Sequence, residues 1–139
     1  MILAKHANKT LAIHLLRLSF GINYFFHGLV RLPELEKFVS TMQSNFQESV
    51  LPPFLVTPVA YTIPFAEMMI GLFLMLNKYT RETLMLTFLL MNVLVIGSSF
   101  VQRWDLVGLQ STYIGFLFLL LYFMNDQQTA KTIAHDTKG

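Results

Sequence analysis

Residues 54–76 read FLVTPVAYTIPFAEMMIGLFLML, 23 positions with one charged side chain, Glu67. At a helical rise of ~1.5 Å per residue, such a run crosses a hydrocarbon core ~30 Å thick. Working outward, residues 83–101 and 106–124 are apolar stretches of 19 residues each without any charge. Residues 10–30 form a fourth, of 21 residues, but they contain Arg17 between His14 and His27. Four such spans predict an all-α fold: a four-helix transmembrane bundle, with residues 1–139 as a single domain.

Composition supports this reading. The chain is 54% hydrophobic and 13% charged, about half the charged fraction of an ordinary soluble domain. A formal net charge of +2 is too small and too scattered to point to nucleic acid. Cysteine is absent, which removes disulfides, thiolate nucleophiles and iron–sulfur ligation by this chain. The first apolar run is not read as a cleaved signal peptide. It is long, contains Arg17, and ends at Gly28-Leu29-Val30-Arg31 without a small-x-small cleavage pattern.

Four spans put both termini on one side. That side carries Lys5, Lys9, Lys78, Arg81, Lys131 and Lys138, against Arg31, Lys37 and Arg103 on the other. The excess predicts cytoplasmic termini in a bacterial inner membrane. Between the first two spans, residues 33–50 predict an amphipathic helix on the outer face. Leu35, Phe38, Val39, Met42, Phe46 and Val50 recur at helical spacing among polar residues, and Pro52-Pro53 ends the pattern.

A charge near the bilayer centre is costly unless it is paired or faces a polar interior. Arg17 falls roughly 4.5 Å, and Glu67 roughly 3 Å, to the cytoplasmic side of their span midpoints. Level-matching therefore predicts a buried Arg17–Glu67 ion pair between adjacent helices. Arg17, Gly21, Tyr24, Gly28 and Arg31 share an arc of roughly 80° on the first helix, where the glycines admit close backbone approach. Toward the outer half, Tyr24, His27, Arg31, Tyr61, Gln110 and Tyr113 are the candidate ligand or quinone pocket, with Ser98 and Ser99 at similar depth. Gly108, Thr112 and Gly115 are read as a packing seam, and Asn92 as an interhelical hydrogen-bonder. No catalytic residue and no metal ligand set is assigned. All histidines lie on the first helix or outside the spans, which does not suit a haem held by facing helices.

These residues resemble the DoxX-like family of small four-helix bacterial membrane proteins. The resemblance rests on Arg17-Leu18 with Gly21, on Phe25-Phe26-His27-Gly28-Leu29 with Arg31, on Leu51-Pro52, and on Pro64-Phe65-Ala66-Glu67 with Ile70-Gly71-Leu72. It covers roughly residues 15–124. A lysine is frequent in the family where this chain has Arg31. The resemblance implies a redox association: the related DoxD is a membrane subunit of a thiosulfate:quinone oxidoreductase, and related MauE-type proteins assist redox enzyme maturation. The expectation is a membrane subunit that docks or supports a membrane or periplasmic partner, without enzyme activity of its own and with no resident cofactor. The alternatives are a quinone- or quinol-contacting subunit and a small oligomeric transporter or channel. Lipid is an expected partner, nucleic acid is not, and a homo-oligomer is compatible with the pattern.

Overall fold

Long apolar runs that must satisfy every backbone polar group internally form helices, and in the computed structural model every regular element among the described residues is a helix. It describes the backbone of residues 2–136 and the side chains of residues 8–124. The elements are α1 (Ile2–Leu29), α2 (Leu35–Asn45), α3 (Pro53–Leu76), α4 (Thr80–Phe100) and α5 (Trp104–Asp136). Pro53 occupies the first turn of α3, where its missing N–H costs nothing. The α3–α4 turn closes on Asn77 in the left-handed conformation (φ 55°), with the Lys78 N–H donating to the Phe73 carbonyl at 3.2 Å.

Three helices are long and apolar enough to cross a membrane among the described residues: Pro53–Leu76, Thr80–Phe100 and Trp104–Met124. The run in α1 does not reach that standard, because His14, Arg17, Asn23 and His27 dilute its apolar character. The long helices nevertheless touch in the cyclic order α1–α3–α4–α5, with α2 packed on α3. The side chains of Lys5 and Lys131, and all of Lys138, which entered the charge count, lie outside the described residues.

The α1–α3 contact is the tightest in the molecule, and glycines make it so. A Cβ added at Gly21 would lie 2.9 Å from the Met75 backbone nitrogen, and one at Gly28 2.6 Å from that of Met68. Gly71 of α3 faces the Phe25 backbone in the same way. This seam fixes the axial register of the two helices. Below it, Ile13, Phe20, Leu74, Leu84, Leu117 and Leu120 fill the interior of the end away from α2. Leu74, Leu84, Leu117 and Leu120 are wholly buried there.

Helix α2 is amphipathic, but shorter than the periodicity suggested. Val39 is buried and Leu35, Phe38 and Met42 are half-buried, while Glu36, Lys37, Ser40 and Thr41 are exposed. The helix tightens to a close at Asn45 through shorter bonds, Gln47 N–H to Ser44 and Ser49 N–H to Phe46. Val50 is left 82% exposed and takes no part in the apolar face. Outside the spans, the Lys37 ammonium bonds Glu34 at 2.8 Å and holds that carboxyl below its usual range.

Two further expectations fail. Gly108, Thr112 and Gly115 are exposed, and nothing lies within 4 Å of a Cβ added at either glycine, so this stripe packs against no described element. Asn92 donates at 2.8 Å to the Phe88 carbonyl of its own helix and, among the described residues, bonds no neighbouring helix.

Candidate functional site

An open cavity of about 450 Å³ lies inside the α2 end of the bundle. Helix α1 contributes Asn23, Tyr24 and His27, with Arg31 just beyond its end, and α3 contributes Val59, Ile63 and Glu67. Met91, Leu94 and Ser98 come from α4, Leu106, Gln110 and Tyr113 from α5, and Arg103 from the turn between them. Phe38, Met42, Asn45 and Phe46 close it from above. Tyr24 and Met91 belong both to the cavity wall and to the apolar core, so they form its floor.

Charge in this cavity is arranged differently from the sequence expectation. Glu67, 4% exposed, pairs with Arg31 and not with Arg17. The cause is the glycine seam: Gly28 packs level with Pro64 and Met68, which brings the residues just past α1 to Glu67. Arg17 lies eleven residues before Gly28, roughly 16 Å along the axis, level with the far end of α3. There its guanidinium donates to the Leu74 carbonyl, at the negative end of the α3 dipole. Matching span midpoints misled because the glycine seam, and not the centring of the apolar runs, sets the register of α1 against α3. Arg17→Gln and Glu67→Gln are therefore expected to add within about 0.5 kcal/mol in detergent unfolding, because the two sites share no partner. A direct pair would couple the substitutions well beyond that margin.

Further contacts order the walls. The Arg31 guanidinium lies over the Phe38 ring, 4.8 Å from its centroid, tying the ion pair to α2. Asn23 donates to the Tyr113 hydroxyl at 3.1 Å, and Gln110 donates to the Ser98 hydroxyl at 3.0 Å. Phe20, Tyr24 and Tyr113 form a ring cluster with centroids 5.8–6.5 Å apart. Arg103 makes two bonds to Asp105, at 2.8 and 3.0 Å.

Of the six residues singled out as a pocket, Tyr24, His27, Arg31, Gln110 and Tyr113 line this cavity. Tyr61 does not: its hydroxyl donates to Glu36 at 2.7 Å and fastens α2 to the flank of α3, beside a Gln43–Thr57 bond of 2.8 Å. Ser98 joins the cavity, whereas the Ser99 hydroxyl donates to Val95 of its own helix. Sequence reasoning missed Asn23, Asn45, Arg103 and the α2 aromatics. The first was open to discovery, since Asn23, His27 and Arg31 recur every four residues. Among the described residues, no three His, Cys, Asp or Glu side chains gather closely enough to hold a metal ion.

An all-helical chain with three helices long and apolar enough to cross a membrane, and with a largely apolar cavity under an amphipathic cap, is a multi-pass membrane protein. The family model described as methylamine utilisation protein MauE matches residues 9–107, and the chain belongs to that family. The matched region includes α2, α3, α4 and most of α1, with Arg17, Arg31 and Glu67, and stops before Gln110 and Tyr113. Comparison with curated proteins and with solved structures returns no match.

Proposed function

We propose that this chain is an accessory membrane subunit of a redox system, one that docks and supports a partner protein and does no chemistry alone. The observation that carries the reading is the family match over residues 9–107, whose description belongs to methylamine utilisation. The broader DoxX-like resemblance points the same way. Without cysteine, any thiol exchange in such a system belongs to the partner. In this reading α1 is the fourth span, both termini are cytoplasmic, and α2 lies at the periplasmic face of the inner membrane. Its exposed row of Glu36, Lys37, Ser40 and Ser44 is then available to the partner. Transport by a single copy is disfavoured, because the half of the bundle away from α2 is filled by buried leucines.

Mild solubilisation of the tagged protein from cells making their redox enzymes, followed by mass spectrometry, tests this. A redox-enzyme subunit is expected in near-equal amount, and lost when Glu36, Lys37, Ser40 and Ser44 are replaced together by alanine. Recovery of intact protein without any redox subunit overturns the reading.

A further inference from the structure

Arg17 carries more positive charge than its surroundings answer. Its guanidinium donates to the Leu74 carbonyl, and no carboxylate among the described residues pairs with it. Its Nε–H is buried and has no hydrogen-bond partner among those residues. A helix C-terminus is equivalent to about half an elementary negative charge, so the end of α3 offsets only part of a full cation. A buried donor without an acceptor is unfavourable as well. The group is therefore poised for an anion that offers more than one oxygen.

Depth and direction select the anion. The 24 residues of α3 are about 36 Å long, so the last turn of that helix, where Arg17 is anchored, reaches headgroup level. Around α1, His14 and Leu18 stand at about 60° and 100° from Arg17 and are exposed, whereas Ile13 and Phe20 on its other side are buried. Arg17 is half-buried between these two flanks. On the open flank Leu18, Ile22 and Leu29 follow one another within an arc of about 40°, all exposed. They extend roughly 16 Å from the level of Arg17 toward the α2 end, the depth of one leaflet of hydrocarbon. An apolar track that begins at an unanswered cation fits an amphiphile with an anionic head and hydrocarbon tails. The nearby charge has the same sign. Lys78 and Arg81 are exposed at the α3–α4 turn, against Glu82 as the single carboxylate at this end among the described residues.

We propose that Arg17 anchors an anionic phospholipid of the leaflet away from α2. The remaining guanidinium N–H groups hold its phosphate through paired, charge-assisted bonds, and its tails lie along Leu18, Ile22 and Leu29. This goes beyond the accessory reading and does not depend on it, because the chain alone forms the site.

Native mass spectrometry of the delipidated, detergent-purified full chain, titrated with dioleoyl-phosphatidylglycerol, tests this. Dioleoyl-phosphatidylcholine and glycerophosphate run beside it, the first without net charge and the second without tails. A saturable adduct of one phosphatidylglycerol per chain is expected, with both comparators at least tenfold weaker. Arg17→Gln is expected to weaken that adduct at least tenfold, and Arg103→Gln, the same change of charge at the α2 end, less than twofold. Equal binding of phosphatidylcholine, equal binding of glycerophosphate, or unchanged binding by Arg17→Gln overturns the proposal. So does folded wild-type protein that retains no phosphatidylglycerol, which would leave Arg17 to a carboxylate of a partner protein. The accessory reading survives each of these results.

Discussion

Gly71→Leu is expected to abolish recovery of a monodisperse protein, the most severe effect of any single substitution considered. Position 71 is where α3 touches the α1 backbone directly. A Cβ there would lie 2.5 Å from the Phe25 Cα and 2.6 Å from the Gly21 carbonyl oxygen. These are main-chain atoms, which cannot swing aside as the end of a side chain can. Alanine already forces the helices apart, and leucine adds three more carbons to the same gap. Overpacking a tight core typically costs about 1–3 kcal/mol, and a main-chain obstacle places this case at or above the upper end. Lipid tails give separated helices no hydrophobic penalty, so close packing is much of what holds α1 to α3. The cavity fails with the seam, because Tyr24 lies on the displaced helix and Arg31 just past its end. Gly115→Leu is the internal control. Nothing lies within 4 Å of a Cβ at that position, so the same change is expected to leave size-exclusion behaviour and unfolding temperature unaltered. Similar behaviour of both variants would refute the seam.

How much of this was legible beforehand follows from what apolar sequence encodes. Run length and an absence of charge reveal that a segment is a membrane-length helix, which is why α3, α4 and the apolar part of α5 were readable. They carry almost no axial information, since sliding one leucine-rich helix past another by a few turns changes little in composition. The ion pair was misassigned for that reason. The register signal lay in Gly21, Gly28 and Gly71: three glycines that admit backbone contact set the slide, and with it Arg31 against Glu67 and Arg17 against the end of α3. Angular position was easier to read than depth. The arc through Tyr24 and Arg31 faces the cavity as its spacing implied. Tyr61 lies at a suitable depth, but on the flank of α3 that meets α2. The end of α2 could not be read, because apolar spacing continues to Val50 although the chain has already left the helix at Phe46.

Arg31→Leu is expected to destabilise the protein more than Glu67→Leu, and the double substitution less than the sum of the two. Glu67 is 4% exposed and fixed in the middle of α3, so without Arg31 its carboxylate has nowhere to turn. Arg31 lies in the turn after α1, its side chain still 28% exposed, and its long stem can carry the guanidinium outward once Glu67 is gone. Removing one partner of a buried pair costs about 3–5 kcal/mol. Arg31→Leu is placed near the lower bound and Glu67→Leu at about 1–2 kcal/mol, because the surviving charge there can still reach water. Replacing both charges by leucine removes the stranded ion in either case, and a coupling of about 1–3 kcal/mol is expected from the cycle. Detergent unfolding of the four proteins measures it. The pair also acts on the cap, since Arg31 connects Glu67 to the Phe38 ring of α2. Limited proteolysis between residues 31 and 34 is therefore expected to accelerate in Arg31→Leu but not in Arg17→Gln, whose guanidinium bonds the opposite end of α3. Strictly additive energies, or equal proteolysis in those two variants, would show that the carboxylate and the turn are held independently and that the cap does not depend on the ion pair.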